Sequence, residues 1–186
     1  SQLANQAGTP ERKQEILKNA QGVGGFTGME ALNALGAWAD LTGDLKTGEA
    51  ILGDLARTAL STGTSLDDLA SAAGNAFIPL NDQIPDATAR MEALRNIIRA
   101  TAGMGTIGAV EIKDLAAEMA GLAAQATKFQ GGPERAMQVA VAMAQASRQR
   151  GGSSSAAEAV TSVERFGSDV LTKQGKLRAM GVEVFT

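Results

Sequence analysis

A chain of 186 residues with a formal charge of −3 is sized for one domain or one segment of a longer protein, and that balance argues against a general nucleic-acid surface. Zero Cys removes disulfides and thiolate metal sites, while zero His removes the commonest general base near neutral pH and every Ser-His triad. With 22 Gly and only 3% aromatic residues, the 44% hydrophobic share comes largely from small side chains, which predicts a thin core with close helix contacts.

The first element is predicted from Thr9-Pro10, where Pro suits a first helical position, to about Ala20; GVGGFTG then breaks it. Thr27 and Glu30 make a capping-box pattern ahead of MEALNALGAWADL, whose apolar side is Leu32, Leu35, Trp38 and Leu41. Thr47 is placed as the cap of the next helix, with Ile51, Leu52, Leu55, Ala59 and Leu60 as its stripe. Ser65 and Asp68 repeat the cap-then-acid pattern for a short helix ending near Ala76. Pro79 and Pro85 confine IPLNDQIP to a turn or extended loop. From Asp86, the residues Met91, Leu94, Ile98 and Thr101 trace another face, ended by GMGTIG.

The clearest stripe follows. Ile112, Leu115, Met119, Leu122, Ala126 and Phe129 alternate spacings of three and four, an a/d seam too short for a long coiled coil and suited to a helix pair. Gly132-Pro133 restarts an Ala-rich helix with Met137, Val141 and Ala144 on one side. After GGSSS, Ser155 and Glu158 open the last long helix, which carries Val160, Val163, Phe166 and Val170. A short helical piece, GKLRAM, leads to the extended end VEVF.

The expected fold is therefore all-α: degenerate helical hairpin units, starting near residues 27, 65, 111 and 155, that form an elongated array or an irregular bundle. TGTSLDDLA at 62–70 and GAVEIKDLA at 108–116 read as equivalent entry points into successive units. Residues 1–26 make an N-terminal helix and Gly-rich linker, and residues 27–186 make the helical core region.

Candidate chemistry is sparse. Gly103, Gly105 and Gly108 in GMGTIG have the dinucleotide spacing, but RNIIRATA before them continues a helical stripe and AAQATK after them lacks the required acid. A helix–helix loop is the expectation there, and no cofactor. Asp40, Asp44 and Glu49 do not match a calcium loop and are read as a solvated turn. Asp67 and Asp68 point about 100° apart on a helix and serve its first turn, so no catalytic dyad is expected. Arg95 and Arg99, one turn apart on the helix that also carries Arg90 and Glu92, leave open a small-anion or partner-acid site beside the plainer reading of a charged outer face. Arg148 and Arg150 suit a helix C-terminus, and Trp38 is read as a core anchor. No catalytic or metal-binding residue is nominated, and the chain is not expected to be an enzyme.

The helix entry Ser65–Ala70, the related Ile112–Ala116, the break at Gly151–Ser155 and the closing LRAMGVEVF at Leu177–Phe185 together resemble the core region of phage tail tape measure proteins of the TP901 type. The similarity covers about residues 27–185. The ending matches a Leu-x-x-x-Gly-Ile-x-Val-Phe pattern, except that Val182 stands where Ile is typical. Starting at Ser1 rather than Met and lacking a signal-peptide pattern, the chain is expected to be an excised piece. The resemblance implies a structural protein of the virion, lying in the tail tube lumen after assembly in the host cytoplasm. It would act in tail assembly, tail length determination and genome ejection, with tail tube and tail assembly chaperone proteins as partners. A homo-oligomer in the lumen is expected, with no specific nucleic acid and no membrane span in this segment. Ile112, Leu115, Met119, Leu122, Phe129, Met137 and Val141 are the candidate residues for helix pairing or self-association. The rival reading is a stand-alone helical module that recruits one protein partner.

Overall fold

Local capping chemistry sets most of the helix starts in the computed structural model, which describes residues 8–107, 114, 117–126 and 131–181. Among those residues every regular element is a helix. They are α1 (Pro10–Gln21), α2 (Gly28–Thr42), α3 (Leu45–Thr62), α4 (Leu66–Gln83), α5 (Ala87–Ile107), α6 (Met119–Ala126), α7 (Pro133–Gln149), α8 (Ala156–Thr172) and α9 (Gln174–Ala179). The Thr9 hydroxyl accepts from the Arg12 N–H at the start of α1, and Thr27 with Glu30 closes a full capping box on α2. Gly43 and Gly63 end α2 and α3 with φ of +69° each, the left-handed conformation that favours glycine at this position.

Three boundaries differ from expectation. The cap of α3 is Asp44, not Thr47: the Thr47 N–H donates to Asp44 Oδ1 at 3.0 Å and its hydroxyl donates to Oδ2 at 2.6 Å. Thr47 is therefore the capped residue, and a carboxylate three positions earlier is the stronger acceptor. IPLNDQIP is not a loop, because α4 continues through Pro79 to Gln83 and only residues 84–86 interrupt the helices. Proline there removes one backbone hydrogen bond, but Phe77 and Leu80 on either side are 3% and 0% exposed, and their burial holds the last turn in place. α5 does not break at the first glycine of GMGTIG. The helix runs through Gly103 and Gly105 to Ile107, and Gly108 lies outside the described residues.

The helices surround α4. It packs against α2, α3, α5, α6 and α7, most extensively against α2, and buries Leu66, Leu69, Ala70, Ala72, Ala73, Gly74, Ala76, Phe77 and Leu80. Its buried residues cover a broad face, as suits a central helix, and Asp68, Ser71, Asn75 and Ile78 line the narrower side left exposed or half-buried. Of the two arrangements expected from sequence, the packing is that of an irregular bundle: α2 and α4 share the broadest contact although α3 separates them in sequence. Nearly half of the buried apolar residues described are alanines, so the thin core is realised as close helix approach.

One large side chain organises that thin core. Trp38 on α2 is 1% exposed, lies 5.1 Å from the Phe77 ring centroid at a 51° tilt, and donates its indole N–H to the Asp44 carbonyl at 2.7 Å. Gly48 on α3 supplies the room, since a Cβ there would sit 2.5 Å from Trp38 Cδ1. The Arg90 guanidinium lies 5.5 Å from the Phe77 ring centroid and donates to the Ile84 carbonyl at 2.9 Å. Ile16 and Ala20 of α1 are 2% and 0% exposed and belong to the same hydrophobic cluster as the helices that follow.

Candidate functional site

The residues nominated for helix pairing divide in two. Met119, Leu122, Met137 and Val141 are 4%, 0%, 2% and 0% exposed and lie in the hydrophobic core, where α6 packs on α7 within the chain. Ile112, Leu115 and Phe129 lie outside the described residues, as does most of GAVEIKDLA, so its equivalence with TGTSLDDLA has no described geometry.

Asp40, Asp44 and Glu49 are not a solvated turn. Asp40 is within α2, Asp44 caps α3, and the Glu49 side chain is only 12% exposed, with its Oε2 accepting from Arg12 Nη2. Glu49 thus ties α1 to α3. Asp67 and Asp68 occupy the first turn of α4, where the Asp68 N–H donates to Ser65 Oγ at 3.1 Å. Arg148 donates to the Ser153 carbonyl at 3.0 Å and orders the GGSSS turn beyond its helix end. Trp38 is the core anchor that its isolation among small residues suggested.

Polar side chains converge at one cleft, between α3 and α5. Asp54, Arg57, Thr58 and Ser61 stand at i, i+3, i+4 and i+7 on α3; Arg95, Ile98 and Arg99 stand at i, i+3 and i+4 on α5. The two helical faces meet around about 250 Å³ of space. Asp54 is the fixed point: its Oδ2 accepts from Arg95 Nε at 2.7 Å, and its Oδ1 accepts from Arg57 Nη2. Burial alone pushes the Asp54 carboxyl up, but hydrogen bonds and charge from Arg95, then Arg57, outweigh it and hold the carboxyl below its ordinary range. The sign follows: the pairing contributes fully above the ordinary aspartate value and is lost as pH falls through the depressed folded value.

Hydroxyl donors in the cleft are already engaged. Thr58 Oγ1 donates to the Asp54 carbonyl at 3.0 Å and Ser61 Oγ to the Thr58 carbonyl at 2.9 Å, which leaves guanidinium groups as the donors available to a ligand. Arg99 is exposed and has no hydrogen bond or ion pair among the described residues. Sequence reading paired Arg95 with Arg99 but missed the α3 half, because Asp54 lies 41 positions before Arg95. The signal was present as a polar Asp-x-x-Arg-Thr-x-x-Ser face on α3, opposite the stripe that marks its core side.

Among the described residues no group of three His, Cys, Asp or Glu side chains is placed to hold a metal, and no helix is long and apolar enough to cross a membrane. Compared with protein-family models, curated proteins and solved structures, the chain matches none.

Proposed function

We propose that this chain is a structural segment of a phage, prophage or tail-like-particle tail tape measure protein, acting in tail assembly, tail length determination and genome ejection. The observation that carries the reading is the closing stretch Leu177–Phe185, with its Leu-x-x-x-Gly spacing before Val-x-Val-Phe, following the related sequence motifs at Ser65–Ala70 and Ile112–Ala116. An all-helical bundle built on alanine, without His or Cys, supports a structural role over a catalytic one. In this reading the partners are tail tube and assembly chaperone proteins, and the segment self-associates in the tail lumen.

Length is the physical constraint. Fully helical and extended, the chain would reach roughly 280 Å at 1.5 Å per residue, whereas a bundle folded about α4 is several-fold shorter. A ruler made of this segment must open the bundle, and a core rich in alanine leaves fewer large pockets to vacate. Deleting residues 109–150 in frame from the tail protein, followed by imaging of the particles, tests the reading. Shortened tails are expected; particles of unchanged length would overturn the ruler role.

Exposed apolar residues on α8 and just beyond α9 favour a second reading, a module that recruits a single protein partner: Phe166, Leu171 and Met180 are 51%, 43% and 76% exposed. Sedimentation distinguishes the two. Concentration-dependent self-association supports the tail segment, and a strict monomer supports the module.

A further inference from the structure

We propose that the cleft between α3 and α5 is a binding site for a phosphate oxyanion, held by Arg57, Arg95 and Arg99. The charge is the first argument. Three guanidinium groups face one carboxylate, so the cleft carries two uncompensated positive charges at its rim, matching a compact dianion. Geometry is the second. Asp54 engages Arg95 through Nε and thereby fixes that side chain, leaving its terminal nitrogens to bond elsewhere. Arg99 stands one turn further along the same helix face, with its whole planar fork uncommitted among the described residues. Space is the third: about 250 Å³ accommodates a tetrahedral group with room for the waters that bridge it.

The alternative occupant of such a site is a carboxylate from an acidic peptide. Asp54 already fills the carboxylate position between Arg57 and Arg95, and a second single charge would leave the cleft half-neutralised. A phosphate presents more oxygens and more charge in the same volume, and arginine forks match its edges in bidentate fashion. The phosphate could be the free ion or a phosphomonoester carried by a larger molecule, each close to a dianion near neutral pH; a backbone phosphodiester carries one charge and meets the same objection as a carboxylate.

The test is titration of the chain with inorganic phosphate at constant ionic strength, followed through backbone amide shifts. Saturable shifts confined to residues 54–61 and 95–99 are expected. Arg99→Gln, an exposed change that leaves the Asp54 pairing intact, is expected to weaken binding roughly tenfold or more, as loss of a charge-assisted hydrogen bond does. Arg57→Gln is expected to act in the same direction, and Lys173→Gln, on α8, to leave binding unchanged. A short single-stranded oligonucleotide bearing a 5′-terminal phosphate forms the second arm: tighter binding at the same amides than to phosphate assigns the source to a phosphomonoester, and binding no tighter than phosphate assigns it to the free ion. Succinate binding as tightly as phosphate would replace the proposal with an acidic-peptide site. Non-saturating shifts, or an Arg99→Gln chain that binds like the parent, would overturn it.

Discussion

Helices α4 and α8 are nearly the same length, 18 and 17 residues, and each begins at a serine whose hydroxyl accepts from the N–H three residues on. Their fates differ. α4 buries nine residues between Leu66 and Leu80 among five neighbours and leaves Asp67, Asp68 and Ile78 exposed, whereas α8 buries only Ala159, Val160, Val163 and Gly167, against α6 and α7, and carries Phe166 and Leu171 into solvent. The one-sided apolar stripe belongs to α8, the peripheral helix. The central helix has small or apolar residues on most of its circumference, and that blurs its periodicity. A sharp stripe therefore reports that a helix has one covered side, while a diffuse one marks the helix that others cover.

The contrast can be broken at its strongest point first. Trp38→Ala removes the largest buried side chain, its tilted ring contact with Phe77 and its bond to the Asp44 carbonyl, and is expected to cost about 3–5 kcal/mol in urea denaturation. A loss below about 1 kcal/mol would mean that the α2–α4 contact does not dominate stability. Gly48→Ala tests the same centre by overfilling it. Alanine is the better helix former by about 1 kcal/mol, but its Cβ would stand 2.5 Å from an indole that has nowhere to go, and a net destabilisation of about 1–3 kcal/mol is expected.

Ser65→Ala removes the cap of α4 and is expected to cost about 1 kcal/mol, measured by the shift in denaturation midpoint. The smallest effect belongs to α8. Phe166→Ala, at a half-exposed site, is expected to change stability by less than about 0.5 kcal/mol. A loss as large as that of Trp38→Ala would show that Phe166 is covered in solution, by a second copy or another protein.

Much of the helix inventory could be read directly. Thr9, Thr27, Ser65 and Ser155 each lie three residues before the N–H they accept, so the capping signal is contained within four residues of sequence. Two errors came from treating a residue's propensity as decisive. Pro79 in α4 and Gly103 and Gly105 in α5 discourage helix, yet the helices pass through them. The arginine cleft was half legible, because Arg95 and Arg99 share a turn while their counterparts lie on a different helix.

What the sequence determined alone is the all-helical class, the start of most helices and the small-residue character of the core, because capping and composition act over one or two turns. Only tertiary structure decided that α4 is central, that Gly48 makes room for Trp38, that Glu49 is drawn under Arg12, and that Asp54 meets Arg95. Each of these joins residues on different helices, where pairing depends on which surfaces are brought together and is not encoded in any local window.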